Sequence, residues 1–377
     1  MANQPTILFA GGGTGGHLYP GLSVAQALKK IYPAARPLFL CTQRDIDRII
    51  LEPTGFPFIT QPIVPPLTTV PGLLKFWKSW RETKDLVRQH IRKERPAAIL
   101  GLGGYAAGVA VKYCATHKIP AAILNQDVIP GKANQYLMRY VSTVCCQFEQ
   151  TREHVSAEHR EKIKTTGCPI RPEILNLPNR ADASRRLELD PNLQTLVITG
   201  ASQGAQTVNA AILAVLSDLK LQGWQILHLA GRELAVAVRD AYRNLQTSPV
   251  VRVIDFTPEM ADVWAVADLA IARSGASTCA ELCACGLPSI LMPYPFHKDL
   301  HQRANAKVLA DAGAAILLDD EKDPKKNAAK LRPALEPLLY DATKRRAMAE
   351  AAKKLARPDA ALRVAQLVAE LAGAKSS

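Results

Sequence analysis

The sequence predicts an α/β protein made of two lobes, each a parallel sheet wrapped by helices. Three observations carry this. Short apolar runs alternate with longer stretches of helical periodicity, which implies parallel strands joined by crossover helices. A strand running into a glycine-rich turn and then a helix occurs near the N-terminus and again after residue 194. The chain of 377 residues is also longer than one core usually holds, since domains typically run to about 100–200 residues.

The first strand, Thr6–Ala10, enters the glycine run Gly11–Gly16 and then an apolar-periodic helix over Leu18–Ile31. Pro37–Cys41, Ala97–Leu102 and Ala121–Leu124 supply further strands. Between them Glu52–Gly72 carries six prolines, which predicts an extended surface connection with a helix beginning after Pro71. The pattern restarts at Thr195–Thr199, which enters Gly200, Ala201, Ser202, Gln203 and Gly204 before an alanine-rich helix. Gln225–Leu229, Val251–Ile254, Leu269–Ala272 and Ser289–Met292 complete the second sheet. Pro169–Asn192, rich in proline and charge, reads as the linker. These features divide the chain into residues 1–168, residues 169–356 with the linker at their start, and a segment 357–377. The helix of that last segment, Ala360–Leu371, is expected to return to the first lobe.

Hydrophobic residues at 48% and charged residues at 21% are a globular composition, without low-complexity tracts or a fixed-period repeat, so disorder and a solenoid are excluded. Forty-seven lysines and arginines against 34 acids give 47 − 34 = +13, a surplus that suits an anionic partner: nucleic acid, anionic lipid or a phosphorylated metabolite. The eight cysteines form neither a metal knuckle nor a disulfide framework, and even the clustered Cys279, Cys283 and Cys285 read as thiols packed inside a helix. No basic n-region and no run of about 20 apolar residues is present, which predicts a cytoplasmic protein that does not span a membrane.

Gly11, Gly13 and Gly16 satisfy a GxGxxG pattern between strand and helix. Residues without a Cβ let the backbone approach a ligand, and the free amides of the helix N-terminus favour a pyrophosphate. A dinucleotide site would also need an acid at the end of the second strand to hold a ribose; Leu40, Cys41 and Thr42 supply none, and Asp45 comes late. A nicotinamide oxidoreductase is therefore the weakest reading. His17 follows the turn at the carboxyl edge of the sheet, where it could take a proton from a hydroxyl or simply pack at the helix start. Gly101–Gly104 with Tyr105 makes a second glycine turn at a strand end, a ligand wall or a tight turn with a packing tyrosine. In the second lobe Ser202 and the amides of GASQGA could bind phosphate. Glycine turns in both lobes suggest a ligand gripped between them. Glu281 is a lone carboxylate among apolar neighbours, suited to two adjacent sugar hydroxyls or to a salt bridge with Arg273 or Arg303. His297–Ala306 then clusters polar side chains, His301 and Gln302 among them, directly after a strand, as a ligand contact would.

Taken together and in order, GGGTGGH, GLGGYAAG, GCPIR, GASQGA, SGASTCAE, GLPSILMPYPFHKDLHQRANA and PDAALRVAQLV resemble the MurG family, inverting UDP-N-acetylglucosamine transferases of the GT-B fold. The resemblance extends over essentially the whole chain. It implies two Rossmann-like domains with a ligand cleft between them. The reaction it implies is transfer of N-acetylglucosamine from UDP-GlcNAc to the 4-hydroxyl of an undecaprenyl-linked muramyl-pentapeptide, in peptidoglycan synthesis. By the same resemblance the donor contacts are Thr14, Gly15, Gly16, Arg171, Ser202, Gln203, Gly204, Thr257 by its main chain, Ala276, Ser277, Thr278, Glu281, His301 and Gln302, with Glu281 on the ribose. His17 matches the base, and Gly103, Gly104, Tyr105, Gln126 and Asn134 fall on the acceptor side. Neither a metal nor another cofactor is implied, and the DxD acid pair typical of metal-dependent transferases is absent.

Two departures stand out. Where the family usually reads HEQN, this chain has Leu124, Asn125, Gln126 and Asp127, so Asp127 is the candidate replacement for the lost glutamate. His301 stands where the family usually has the first of two glutamines. The altered loop supports a second reading, the same fold and donor with another lipid or small-molecule acceptor. A third reading is a non-catalytic partner subunit that binds nucleotide sugar or membrane, against which the retained His17 and Glu281 speak.

Residues 73–95 combine Leu73, Leu74, Phe76, Trp77 and Trp80 with eight basic residues, including Lys75, Lys78 and Arg81, and three acids. That is the profile of a helix lying on an anionic membrane surface, and it predicts peripheral association with the inner face of the cell membrane. The alternative is an amphipathic helix with its tryptophans in the core. Nucleic acid is not an expected partner, because no RNA-binding motif accompanies the basic run.

Overall fold

A computed structural model describes residues 4–200, 204–216, 219–245 and 250–374. Two compact units emerge, Met1–Arg171 with Arg357–Ser377, and Pro172–Ala356.

The first unit carries strands β1 (Thr6–Ala10), β2 (Arg36–Thr42), β3 (Phe58–Gln61), β4 (Ala98–Gly101), β5 (Ala121–Asn125), β6 (Thr143–Cys146) and β7 (Ile163–Thr165). They form one parallel sheet in the order β3-β2-β1-β4-β5-β6-β7. Its helices are α1 (Gly15–Ile31), α2 (Asp45–Leu51), α3 (Val70–Glu94), α4 (Gly104–Thr116), α5 (Lys132–Leu137) and α6 (Ala157–Arg160). Alternate residues of β1 serve opposite layers, as the two-residue period of a strand demands. Ile7 and Phe9 join Leu18, Leu28 and Phe39 on one face, while Leu8 and Ala10 join Val87, Ile91, Ala107 and Val111 on the other.

The second unit holds α7 (Pro172–Leu175), α8 (Arg180–Leu187), α9 (Gln206–Val215), α10 (Ala235–Asn244), α11 (Met260–Val266), α12 (Ala276–Cys285), α13 (His301–Asp311), α14 (Pro324–Tyr340) and α15 (Ala342–Leu355). Its parallel sheet runs β10-β9-β8-β11-β12-β13, with β8 at Gln194–Thr199, β9 at Trp224–Leu229, β10 at Val250–Ile254, β11 at Leu269–Ala272, β12 at Ser289–Leu291 and β13 at Ala315–Leu317. Leu196, Ile198, Ile226 and Ile271 pack beneath Val208 and Ile212 of α9 and Leu331 and Leu335 of α14. The last helix, α16 (Ala360–Leu371), inserts Val364, Ala365 and Val368 into the first unit's core beside Leu18 and Leu28.

Two segments differ from their sequence reading. The proline-rich stretch after Glu52 contains β3, whose four residues pair with Phe39–Thr42 although only Gln61 is fully buried. A short strand between prolines carries no periodicity to reveal it. The expected linker is partly helical: α8 is capped by the Asn179 side chain and tied to α11 by Arg186, which grips Asp262 at 2.5 and 2.8 Å. The clustered cysteines do lie in a helix, α12, with Cys279 and Cys283 buried and Cys285 half-buried. No helix among the described residues is long and apolar enough to cross a membrane.

Candidate functional site

In a doubly wound sheet the ligand crevice opens at the carboxyl ends of the two strands where the winding reverses direction. Here those strands are β1 and β4 in the first unit and β8 and β11 in the second. The glycine turns that follow them occupy these positions.

After β1 the chain passes Gly11, Gly12 and Gly13 and starts α1 at Gly15. A Cβ on Gly11 would lie 2.6 Å from Leu102 Cβ and one on Gly12 2.3 Å from Asp47 Oδ2, and Gly13 has φ +83°, so side chains are excluded from this turn. Asp47 is fully buried. It accepts hydrogen bonds from the Gly13 amide at 2.6 and 2.9 Å and from the Thr42 amide and hydroxyl, each at 2.7 Å. Arg44 donates to the Gly13 carbonyl at 3.0 Å. Exposed Thr14 is the N-cap of α1 but its side chain makes no capping bond, and the first turn carries no acid. The positive helix end at Gly15 and Gly16 is thus left for an external anion.

His17, half-buried, lies against the turn after β4: a Cβ on Gly103 would come within 3.1 Å of its ring, and one on Gly104 within 3.2 Å of Nε2. Both glycines have positive φ, +101° and +70°. Burial lowers the His17 pKa below its ordinary value, and the Asp127 carboxylate, the Leu102 carbonyl and Asp47 partly oppose that shift. Burial thus favours the neutral imidazole and the Asp127 charge its protonated form, with burial the larger influence. The half-buried Tyr105 brings its hydroxyl within 3.5 Å of where a Gly13 Cβ would stand, and burial raises its pKa. Arg171, expected among the donor contacts, lies over the Tyr19 ring at 4.8 Å.

The loop after β5 is shaped from within. Asn125 donates its side-chain amide to the Asp127 carbonyl at 2.7 Å, and Asn134 donates to the Leu124 carbonyl at 2.9 Å and to Asn125 Oδ1 at 3.1 Å. Asn134 is buried and its amide braces the loop, while its Oδ1 has no hydrogen-bond partner. Gln126 differs: its Nε2 is a buried donor without a hydrogen-bond partner, a group that a ligand carbonyl would satisfy.

In the second unit Ser202 and Gln203 lie outside the described residues, while Gly204, at φ +73°, turns so tightly that a Cβ would meet the Ala230 carbonyl oxygen at 2.2 Å. Thr257 uses its hydroxyl to accept from the Glu259 amide at 3.0 Å. The α12 N-terminus, with Gly275 as N-cap, has neither a side-chain cap nor an acid in its first turn; Ala276 is buried there, Ser277 and Thr278 half-buried.

Glu281, one turn on, is half-buried and accepts from the indole nitrogen of buried Trp264 at 2.8 Å. The salt-bridge reading of Glu281 fails, because Arg273 pairs with buried Asp320 at 2.8 Å and Arg303 with Asp319 at 2.8 Å. Arg273 also donates to the Met292 and Pro293 carbonyls at 2.9 and 3.0 Å, which anchors the chain before Tyr294. Gln302 Oε1 then accepts from the Tyr294 amide at 2.9 Å, and the Ser274 hydroxyl donates to the Gln302 carbonyl at 2.8 Å. His301 meets Asp299 through Nδ1 at 2.6 Å. The sequence reading missed Asp47, Asp320 and Asn305, whose amide donates to the Ser274 carbonyl. No motif marks Asp47 or Asp320, which act across long sequence separations, and Asn305 lies within the polar stretch His297–Ala306 without a feature that sets it apart.

Along α3, Leu73, Leu74 and Trp77 are exposed at 41, 67 and 58%, and Leu67 and Val70 extend the apolar patch at 58 and 72%. Lys75, Lys78 and Arg81 are exposed beside them. Phe76 and Trp80 do not belong to the patch. They are half-buried and pack against the first unit's core, with Trp80 laid on Gly108, where a Cβ would come within 3.3 Å of its ring. The reading that puts tryptophans in the core thus holds for Trp80, while Trp77 stays exposed.

Comparison with known proteins places these features. Residues 7–146 match the glycosyltransferase family 28 N-terminal domain, and residues 195–364 its C-terminal domain. A UDP-N-acetylglucosamine:N-acetylmuramyl-(pentapeptide) pyrophosphoryl-undecaprenol N-acetylglucosamine transferase of Desulforudis audaxviator is 35% identical over 97% of this chain and 98% of its own. The enzyme of the same name from Halalkalibacterium halodurans is 33% identical over 97 and 99%. The crystal structure of MurG from Acinetobacter baumannii superposes with a TM-score of 0.75 at 25% identity, covering 97% of this chain and 99% of that one.

Proposed function

The chain belongs to the MurG transferases of glycosyltransferase family 28, and from that premise we propose how its own residues carry the family's reaction. The protein transfers N-acetylglucosamine from UDP-GlcNAc to lipid I, forming lipid II in peptidoglycan synthesis. Its partners are accordingly the nucleotide sugar and the undecaprenyl-linked muramyl-pentapeptide.

In our reading His17 removes the proton from the acceptor's 4-hydroxyl as that oxygen attacks the anomeric carbon of N-acetylglucosamine. The C1–O bond to UDP breaks and the anomeric configuration inverts. The observation that carries this role is a neutral imidazole at the strand switch point with the Asp127 carboxylate near enough to favour its protonated form. A base must start neutral, and the charge it gains is then balanced by Asp127. Gln126 offers its unpartnered amide to the acceptor. The uncapped N-terminus of α12 in the second unit suits the diphosphate and the negative charge that grows on departing UDP, and that of α1 in the first unit is likewise suited to an anion. Glu281, oriented by Trp264, receives the two ribose hydroxyls. Gln302, braced by Tyr294 and Ser274, faces the sugar.

The apolar patch from Leu67 to Trp77, rimmed by Lys75, Lys78 and Arg81, docks the protein on an anionic membrane surface at the inner face of the cell membrane, where a lipid-linked acceptor resides. The test is UDP release from UDP-GlcNAc in EDTA, with and without the undecaprenyl muramyl-pentapeptide acceptor, for the wild type and His17→Ala. Acceptor-dependent release that collapses in the variant is expected. Release that survives the substitution would remove His17 from the chemistry.

A further inference from the structure

We propose that His297, Asp299 and His301 form a binding site for a divalent ion of the zinc and cobalt class. One potential ligand atom from each residue lies within 4.8 Å of the other two. The three residues sit at i, i+2 and i+4, His297 and Asp299 on the loop that leads into α13 and His301 at the first position of that helix. That loop is folded back on itself: the Leu300 amide donates to the His297 carbonyl at 3.3 Å, and Leu300 takes φ +52° as the N-cap of α13. The fold-back stacks the His297 and His301 rings, with centroids 4.5 Å apart and planes at 29°, and brings His301 Nδ1 to 2.6 Å from Asp299 Oδ1.

Two imidazoles and a carboxylate are the donor set of borderline transition ions, not of magnesium or calcium, which take oxygen ligands. A tetrahedral ion with bonds of about 2.0–2.1 Å needs ligand atoms about 3.3 Å apart. The present spacing of up to 4.8 Å is wider than this, so binding requires the exposed side chains of His297 and Asp299 to turn toward the ion. Of the nearby cations, Arg303 pairs with Asp319 and Lys322 lies over the Phe296 ring at 4.9 Å, while Lys298 is exposed on the same loop. Three protein ligands leave at least one coordination position for water or an anion.

The test is a Co²⁺ titration of the full chain without an affinity tag, followed by absorption spectroscopy. One equivalent is expected to bind and to produce the visible ligand-field bands of nitrogen and oxygen ligation. The near-ultraviolet thiolate charge-transfer band that cysteine ligation gives should be absent. His301→Gln and His297→Ala should each weaken binding by about 100-fold or more, and Asp299→Asn by at least about tenfold, with unchanged circular dichroism. Absence of saturable one-to-one binding, a thiolate band, or full affinity in His301→Gln would each overturn the proposal. None of these readouts depends on transferase activity.

Discussion

The carboxylate of Asp47 holds the amide of Gly13 through both oxygens, at 2.6 and 2.9 Å, from 34 residues away in sequence. In a dinucleotide-binding sheet an acid at the end of the second strand reaches outward to a ribose. Here Asp47, the second acid after that strand's end, turns inward and sets the shape of the glycine turn itself. The turn leads directly into His17, so the position of the proposed base depends on a side chain that touches no substrate.

Replacing Asp47 by alanine should therefore damage both stability and turnover. The Gly13 and Thr42 amides would lose their acceptor in a buried place, at about 1–3 kcal/mol each. Asp47→Asn keeps an acceptor oxygen and should lose less. Chemical denaturation measures the first effect. A fall in kcat with KM for UDP-GlcNAc nearly unchanged would mark the displaced base, whereas equal kcat in folded Asp47→Ala would show that the turn holds its shape without the carboxylate.

The acid limb of kcat/KM should lie below pH 6.5. Burial lowers the His17 pKa, so the neutral, active form persists as pH falls past the ordinary histidine value, and activity is lost only at the depressed pKa. The Asp127 charge works in the opposite direction. Asp127→Asn should move the limb to still lower pH while reducing the rate, because the imidazolium loses its counter-charge. A pH profile with the limb unmoved in this variant would separate Asp127 from the base.

Glu281 should report on the donor alone. Charged hydrogen bonds contribute about 1.5–3 kcal/mol, so Glu281→Ala should raise KM for UDP-GlcNAc by about 10- to 150-fold. Glu281→Gln retains an acceptor for Trp264 and should cost less. Isothermal titration with UDP checks the assignment: if both variants bind UDP as the wild type does, the ribose lies elsewhere.

On vesicles containing anionic lipid, the triple variant Lys75→Glu, Lys78→Glu, Arg81→Glu should lose about 100-fold or more in partitioning, from about 1 kcal/mol per cation. Trp77→Ala should weaken binding without unfolding the protein, since that ring is 58% exposed. Trp80→Ala should instead lower thermal stability, because its ring covers Gly108 in the first unit. Sedimentation with vesicles and a thermal melt distinguish the two tryptophans.

Much of the fold was legible because strand and helix periods are local. Every strand flanking a glycine turn was visible in the sequence, and α16 begins and ends where its apolar period does. β3, β6, β7 and β13 were not, being three- or four-residue strands without turn motifs of their own. In the candidate site the motif residues at strand ends could be read directly, while their supports could not. The bracing of the loop after β5 by the Asn134 amide has no signature in the sequence, and Phe76 and Trp80 resemble Trp77 in composition but pack against the core.

By itself, then, the sequence determined the two parallel-sheet units, the glycine turns that leave room for a ligand, and the candidates His17 and Glu281 that follow those turns. Tertiary structure alone decided which carboxylate shapes the first turn, which arginine finds which acid, and which aromatic rings remain outside. The physical reason is range: periodicity and turn chemistry act between neighbours along the chain. Burial and hydrogen bonding are settled instead between residues such as Asp47 and Gly13, or Arg273 and Asp320, that only folding brings together.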